Sequence, residues 1–370
     1  MTPDYGARFG RSDADKNSTP KKYAVTGGRR PNVGAGVVSR ELFRQNIQSR
    51  IDDIPTLPTA VVEILKLLSN PRAGLRNFET ALAKDQVLTA RLIKLANSTF
   101  YGTSRRITAV KEVILRLGLL SVRSLVLAAS TSQILNRPMP GYGFKEGGMW
   151  EHSLATAMAA RRVARLAGLD NTYTEESFLA GLLHDIGKVV LAEDVFKQSA
   201  KFIALSQTKG ILFAEEDIFG LTHVATGAMI AERWRFSEEL GEAIRGHHDP
   251  DSLHRKPTEN ETTRMKASNS STILRIKDLR STQMRLQDAE RIVPPLVDLA
   301  HVGNALAQQM NIGMNEDNPL PPEQFSTRAL ERLKITEEHL RAIEGDLLEE
   351  FNQMSVMFKG TGGDATEAKA

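Results

Sequence analysis

Five of the eight histidines in this 370-residue chain, His152, His184, His223, His247 and His248, fall in or at the ends of apolar segments of its second half. His184 is followed directly by Asp185 inside the run FLAGLLHDIGKVVLAED. Aspartate is almost never fully buried unless paired, and burying a bare carboxylate is costly. Either a neighbouring side chain or a metal ion must therefore face Asp185. Imidazole nitrogen and carboxylate oxygen together suit Fe, Mn, Ni or Zn. A lone histidine on an apolar helix is more often a hydrogen-bonded core residue, but five of them beside a His-Asp pair weigh toward a metal. His254 and His339 stand in polar surroundings and read as surface residues, while His301 fits either environment. Adjacent helical residues point about 100° apart. Taken as helical, His184 and Asp185 flank one site only if it sits against the helix edge, and the same holds for His247 and His248.

The elements that must carry these residues read as helices throughout. DIPTLPTAVVEILKLLSN is an amphipathic helix led in by prolines and closed by Asn70-Pro71. In KDQVLTARLIKLANSTFYG, Asp85 is placed as an N-cap, and Leu88, Leu92, Leu95 and Ala96 form one stripe. ITAVKEVILRLGLLSVRSLVLAASTSQIL supplies two helices hinged near Gly118. WEHSLATAMAARRVARLAG stops at Gly168. Further helices are expected over EESFLAGLLHDIGKVVLAED, AEEDIFGLTHVATGAMIAERWRF, SEELGEAIRGHHDPD and VPPLVDLAHVGNALAQQMNIG. The stretch from SLHRKPTENETTRMKASNS onward reads as a polar insertion, and GTGGDATEAKA as a frayed tail.

With 41% hydrophobic residues the chain can bury a sizeable core. It has no cysteine, which excludes disulfides, cysteine-zinc sites and cysteine nucleophiles and fits a reducing compartment. No apolar run reads as approaching the roughly 20 residues that span a bilayer. The N-terminus lacks the apolar core of a secretory signal, so a cytoplasmic protein without membrane contact is expected. The net charge of +3 is too small to demand nucleic acid. The basic cluster KKYAVTGGRR reads as a solvated tail before it reads as a phosphate-binding arm.

Taken in order, WEHS, AGLLHDIGKVVL, FGLTHVATGAMIAERW and AIRGHHDP resemble the HD superfamily of metal-dependent phosphohydrolases. IPTLPTAVVEILKLLSN, KDQVLTARLIKLANSTFYGTSRRI and VILRLGLLSVRSLVLA narrow the resemblance to the HDOD domain, a bacterial signalling module related to the HD-GYP phosphodiesterases. It runs from about Ile51 to Pro250 and less clearly to about Gly313. The expected fold is an all-α helical bundle. A disordered basic tail (1–40) precedes an N-terminal helical subdomain (41–145), a metal-site subdomain (146–313) and a C-terminal helical extension with its own tail (314–370).

Carried over residue by residue, the resemblance implies one or two divalent ions. A first would be held by His152, His184 and Asp185, with Asp185 bridging to a second held by His223, His247 and His248. Lys188 matches a lysine that contacts the substrate phosphate in catalytic relatives, although an ammonium there would equally serve as a structural partner for a helix end. Three departures stand out. Asn304 occupies the expected closing-aspartate position, Gly148 stands where HD-GYP enzymes can carry a glutamate for a further metal, and no Gly-Tyr-Pro segment follows His247-His248.

HDOD proteins in general imply signalling or scaffolding, so the leading expectation is a metal-binding module acting through protein partners or a nucleotide ligand. The second is a metal-dependent phosphohydrolase on a nucleotide, with Asp185 and Lys188 as its catalytic residues. The third is a nucleic-acid-associated regulator using the basic N-terminal arm, although nucleic acid is not the expected partner.

Overall fold

Hydrophobic stripes and the residues that interrupt them set the architecture. A computed structural model of the chain describes residues 47, 49–52, 54, 57–68, 70, 72–98, 101, 105–252, 296–315 and 320–359. The N-terminal tail, the polar insertion with His254, and the C-terminal tail lie outside the described residues. Fourteen α-helices are described: α1 Thr59–Leu68, α2 Leu75–Ala83, α3 Gln86–Ala96, α4 Val110–Leu135, α5 Gly148–Leu166, α6 Asn171–Leu183, α7 Lys188–Lys197, α8 Ser199–Lys209, α9 Ile211–Phe219, α10 His223–Arg233, α11 Glu238–Gly246, α12 Leu296–Gln309, α13 Thr327–Leu333 and α14 Glu337–Lys359. Among the described residues, extended pairing is limited to isolated bridges joining Phe144 to Met139 and to Met314. The all-α expectation holds.

In the first half, the Asp85 carboxylate accepts the Leu88 backbone N–H at 2.9 Å, capping α3 as expected. Leu88, Leu92, Leu95 and Ala96 are all buried, and α3 lays this stripe against α4. The hinge at Gly118 is real. Its φ of 79° breaks the helical backbone inside α4, a conformation that strains any residue with a Cβ. One expectation needs correction. By length and composition α4 is apolar enough to cross a membrane, because its last 18 residues carry a single charge, Arg123. Inside the protein 61% of its most apolar stretch is buried, as in a core helix.

The second half is organised around α5, which packs most extensively on α6 and α12. Small residues make the close approach possible. A Cβ at Gly181 would stand 2.7 Å from the Ala157 Cα, and one at Gly303 would stand 2.7 Å from the Thr156 carbonyl oxygen. The apolar run around His184 is not one helix. It breaks into α6 and α7, with residues 184–187 forming the turn between them. Apolar continuity hid this break. What enforces it is contact with α10, because a Cβ at Gly187 would fall 1.9 Å from the His223 carbonyl oxygen. AEEDIFGLTHVATGAMIAERWRF likewise divides into α9 and α10 at Gly220, whose φ is 71°.

Candidate metal centre

Helix ends, one turn and one helix interior deliver side chains to a common point. His152 comes from the first turns of α5, His184 and Asp185 from the α6–α7 turn, and His223 from the first residue of α10. His247 and His248 follow α11, and Asn304 projects from α12. His152, His184, Asp185, His223, His247 and Asn304 are buried, and His248 is nearly so. Two groups share Asp185. In the first, ligand atoms of His152, His184 and Asp185 lie within 4.8 Å of one another; in the second, those of Asp185, His223, His247 and His248 do.

Four imidazoles are tied at Nδ1. His184 Nδ1 donates to the Gly181 carbonyl oxygen at 2.8 Å, and His247 Nδ1 to that of Ile244 at 2.9 Å. His223 Nδ1 donates to the Glu215 carboxylate at 2.7 Å and His248 Nδ1 to that of Glu323 at 2.5 Å. Such ties fix ring orientation and tautomer at metal sites. They leave Nε2 as the nitrogen aimed inward, where it takes a proton or a cation. His184 Nε2 lies 3.2 Å from Asp185 Oδ2, while His223 Nε2 lies 3.2 Å and His247 Nε2 3.6 Å from Oδ1. His223 Nε2 and His248 Nε2 are 3.1 Å apart.

Two buried atoms in the second group, His247 Nε2 and Asp185 Oδ1, have no hydrogen-bond partner among the described residues. Both are acceptors facing one another. Unsatisfied buried polar atoms are rare and costly, and a cation between them removes the conflict. The donor set therefore fits a divalent ion of the kind that imidazole and carboxylate favour.

Electrostatics agree. Burial pushes His152 down to about 3, and the neighbouring His184 adds to the shift. Burial, reinforced by the adjacent His248, holds His247 well below the ordinary histidine range. Burial and His223 do the same to His248. These imidazoles are neutral at pH 7. Burial would raise Asp185, but the positive field of His184 and Lys188 and the bonds around it hold its carboxyl well down. Burial would lower His223, yet the Glu215 and Asp185 carboxylates together outweigh it and the ring is raised.

Lys188, itself buried, answers part of the question posed by Asp185, since its Nζ donates to Asp185 Oδ2 at 2.6 Å. The ammonium also lies 5.5 Å from the Tyr142 ring centroid and 5.4 Å from that of Phe144. A cavity of about 500 Å³ opens beside Lys188 and His248, with Tyr142, Phe213, Glu323 and Phe325 among its walls.

The expected glutamate position is closed by packing. Gly148 presses on Gly313 so tightly that a Cβ would fall 2.1 Å from the Gly313 carbonyl oxygen. Asn304 meets His152 at 3.1 Å rather than supplying a charge. His301 proves structural. Its Nδ1 donates to the His247 carbonyl oxygen at 2.7 Å, and its Nε2 accepts the Ser326 N–H at 2.9 Å.

Sequence reasoning missed Glu215, Glu323, Gln308 and Tyr142. Glu215 sits in an acidic run that reads as solvated surface, and Glu323 lies 75 residues from the histidine it meets. The only sequence signal for Glu215 is its place between the apolar residues ILFA and IF just before the His223 motif.

The profile of the HDOD domain family matches residues 54–250. An uncharacterized protein of Treponema pallidum (strain Nichols) is 27% identical over 206 residues, 55% of this chain and 39% of that protein, so the chain spans well under half the length of the curated relative it matches. Among solved structures, an HDOD domain protein of unknown function from Geobacter sulfurreducens superimposes with a TM-score of 0.60 at 23% identity, covering 87% of this chain and 99% of that one. A candidate phosphohydrolase from Shewanella amazonensis SB2B gives 0.58 at 19% identity, covering 84% and 97%. At these identities the likeness is one of fold.

Proposed function

The chain belongs to the HDOD family, and from that premise we propose a metal-binding signal-transduction module that acts through protein partners or a nucleotide ligand rather than through turnover. The observation that carries the metal is the pair of unsatisfied acceptors, His247 Nε2 and Asp185 Oδ1, at the centre of a tied histidine cluster. His152, His184, Asp185, His223, His247 and His248 are the candidate ligands, with Fe, Mn, Ni and Zn as candidate ions. When bound, such an ion supplies Lewis-acid polarisation of a phosphoryl or carbonyl oxygen.

The surrounding residues favour recognition over hydrolysis. Lys188 offers an ammonium toward an anionic group in the cavity, but holds it against Asp185. Glu323 sets a carboxylate in the cavity wall beside His248, where it opposes an approaching phosphate. Asn304 adds no charge, and Gly148 leaves no room for a further carboxylate.

The second reading, a metal-dependent phosphohydrolase, is favoured by one arrangement: Lys188, in the wall of the cavity, is bonded to Asp185 at 2.6 Å. The nucleic-acid reading rests on residues outside those described. The test is turnover of cyclic di-GMP, its linear product and simple phosphodiesters by protein reconstituted with Fe, Mn or Zn. Weak or absent turnover is expected. Robust metal-dependent turnover that Asp185→Ala abolishes would overturn the module reading and make the protein an enzyme.

A further inference from the structure

The two halves of the centre differ in how their nitrogens are committed, and the difference begins at a backbone amide. The Glu323 N–H donates to Gln308 Oε1 at 2.7 Å. A backbone N–H can only donate, so this bond fixes which end of the Gln308 amide is oxygen. Its other end, Nε2, then donates to Asn304 Oδ1 at 3.0 Å. That bond in turn fixes the Asn304 amide with its oxygen toward His152, whose Nε2 stands 3.1 Å away. Between an amide oxygen and an imidazole nitrogen at that distance, the proton must sit on His152 Nε2. His152 Nδ1, buried without a hydrogen-bond partner among the described residues, is the bare nitrogen. The alternative tautomer would bury an unpaired N–H and set two lone pairs face to face.

His152 Nε2 is thus a donor, and its lone pair is not available to a metal. Asp185 Oδ2, on the same side, already accepts the Lys188 ammonium at 2.6 Å. The first group is left with His184, whose Nε2 already meets the His152 Nε2–H at 3.3 Å. The second group is the reverse case. Among the described residues His247 Nε2 and Asp185 Oδ1 have no hydrogen-bond partner, and the Nδ1 atoms of His223 and His248 are tied to carboxylates that raise the basicity of Nε2.

From this relay, and resting on the metal-binding reading above, we infer that the centre is built for one ion, held by Asp185, His223, His247 and His248. Beside His152 and His184, the Lys188 ammonium is the resident cation. The Leu320–Ser326 segment takes part through Glu323, whose backbone commits His152 through Gln308 and Asn304 while its side chain orients His248.

Three measurements on the full chain test this. Reconstitution with Mn or Zn alone should saturate at one ion per chain. His152→Ala should bind that ion within about threefold of the wild-type affinity, whereas His247→Ala should weaken it at least tenfold, the lower end of the range for perturbing a metal shell. In zinc-loaded wild type, ¹⁵N NMR should show the His152 ring still protonated at Nε2, a readout that needs no variant to fold. Two ions per chain, equal losses in the two variants, or a His152 Nε2 that loses its proton on zinc binding would each overturn the inference. Wild-type protein that binds no ion at all would instead refute the metal reading itself, and this inference with it.

Discussion

Glu215 and His223 are joined twice in the buried interior. One Glu215 oxygen accepts the His223 backbone N–H at 2.8 Å, and the carboxylate also accepts its Nδ1–H at 2.7 Å. The Tyr142 hydroxyl donates to the same carboxylate at 2.7 Å. A fully buried acid so committed sets the ring plane and tautomer of the histidine at the start of α10. Glu215→Gln keeps the shape but puts an N–H donor against one of these hydrogens. Metal affinity should fall about 10–100-fold with the fold retained, measured by competition with a chromophoric chelator. Unchanged affinity would show that Glu215 serves packing alone.

A second buried charge pair joins α5 to α6 beneath α4. Arg161 Nη2 lies 2.5 Å from Glu175 Oε1, and the hydroxyls of Ser121 and Ser124 donate to the same carboxylate at 3.1 and 2.8 Å. Removing one partner of a buried pair leaves an uncompensated charge, which costs about 3–5 kcal/mol. Arg161→Ala should lower unfolding stability by that amount in urea. A loss under about 1 kcal/mol, the ceiling for exposed pairs, would mean that water reaches this junction.

Leu92 on α3 is fully buried against α4. Leu92→Ala should cost about 2–5 kcal/mol by equilibrium denaturation while leaving metal content unchanged. A change within experimental error would misplace the core of the first half.

Acid should destabilise the metal-free protein well above the carboxylate range. His152, His247 and His248 are depressed by burial, His152 to about 3. Below about pH 6.5, the ordinary histidine value, the unfolded chain takes up protons that these buried rings refuse. The linkage slope then favours unfolding as pH falls toward about 3. His223 is raised, so its contribution is present below the ordinary histidine value and is lost as pH rises through its folded value. Three depressed rings outweigh one raised ring. Denaturant midpoints of chelator-treated protein should therefore drop between pH 7 and pH 5. A flat or rising profile would contradict the burial of the cluster.

Much of this was legible in the sequence because ligand types are rare and helical stripes are regular. The six candidate ligands stand out by residue type, while Lys188 and the anomalies at Asn304 and Gly148 emerge only through the family resemblance. The α3 stripe and its Asp85 cap follow directly from spacing. What could not be read were relations created by contact. The turn at His184–Gly187 is hidden in an apolar run and exists because Gly187 meets the His223 carbonyl oxygen. Gln308 and Glu323 look like surface polar residues, yet their orientation decides which His152 nitrogen carries the proton. Sequence offers candidates for a site; the commitment of each lone pair is a property of the packed structure.

The central claim is that Asp185, buried among four Nδ1-tied histidines, helps to hold a divalent ion. Elemental analysis of purified protein after reconstitution with Fe, Mn and Zn tests it most directly, with wild type compared against Asp185→Ala at matched helicity. The account predicts close to one ion per chain in the wild type and a loss of at least tenfold in the variant. Negligible and equal metal in both, under every ion tried, would contradict it.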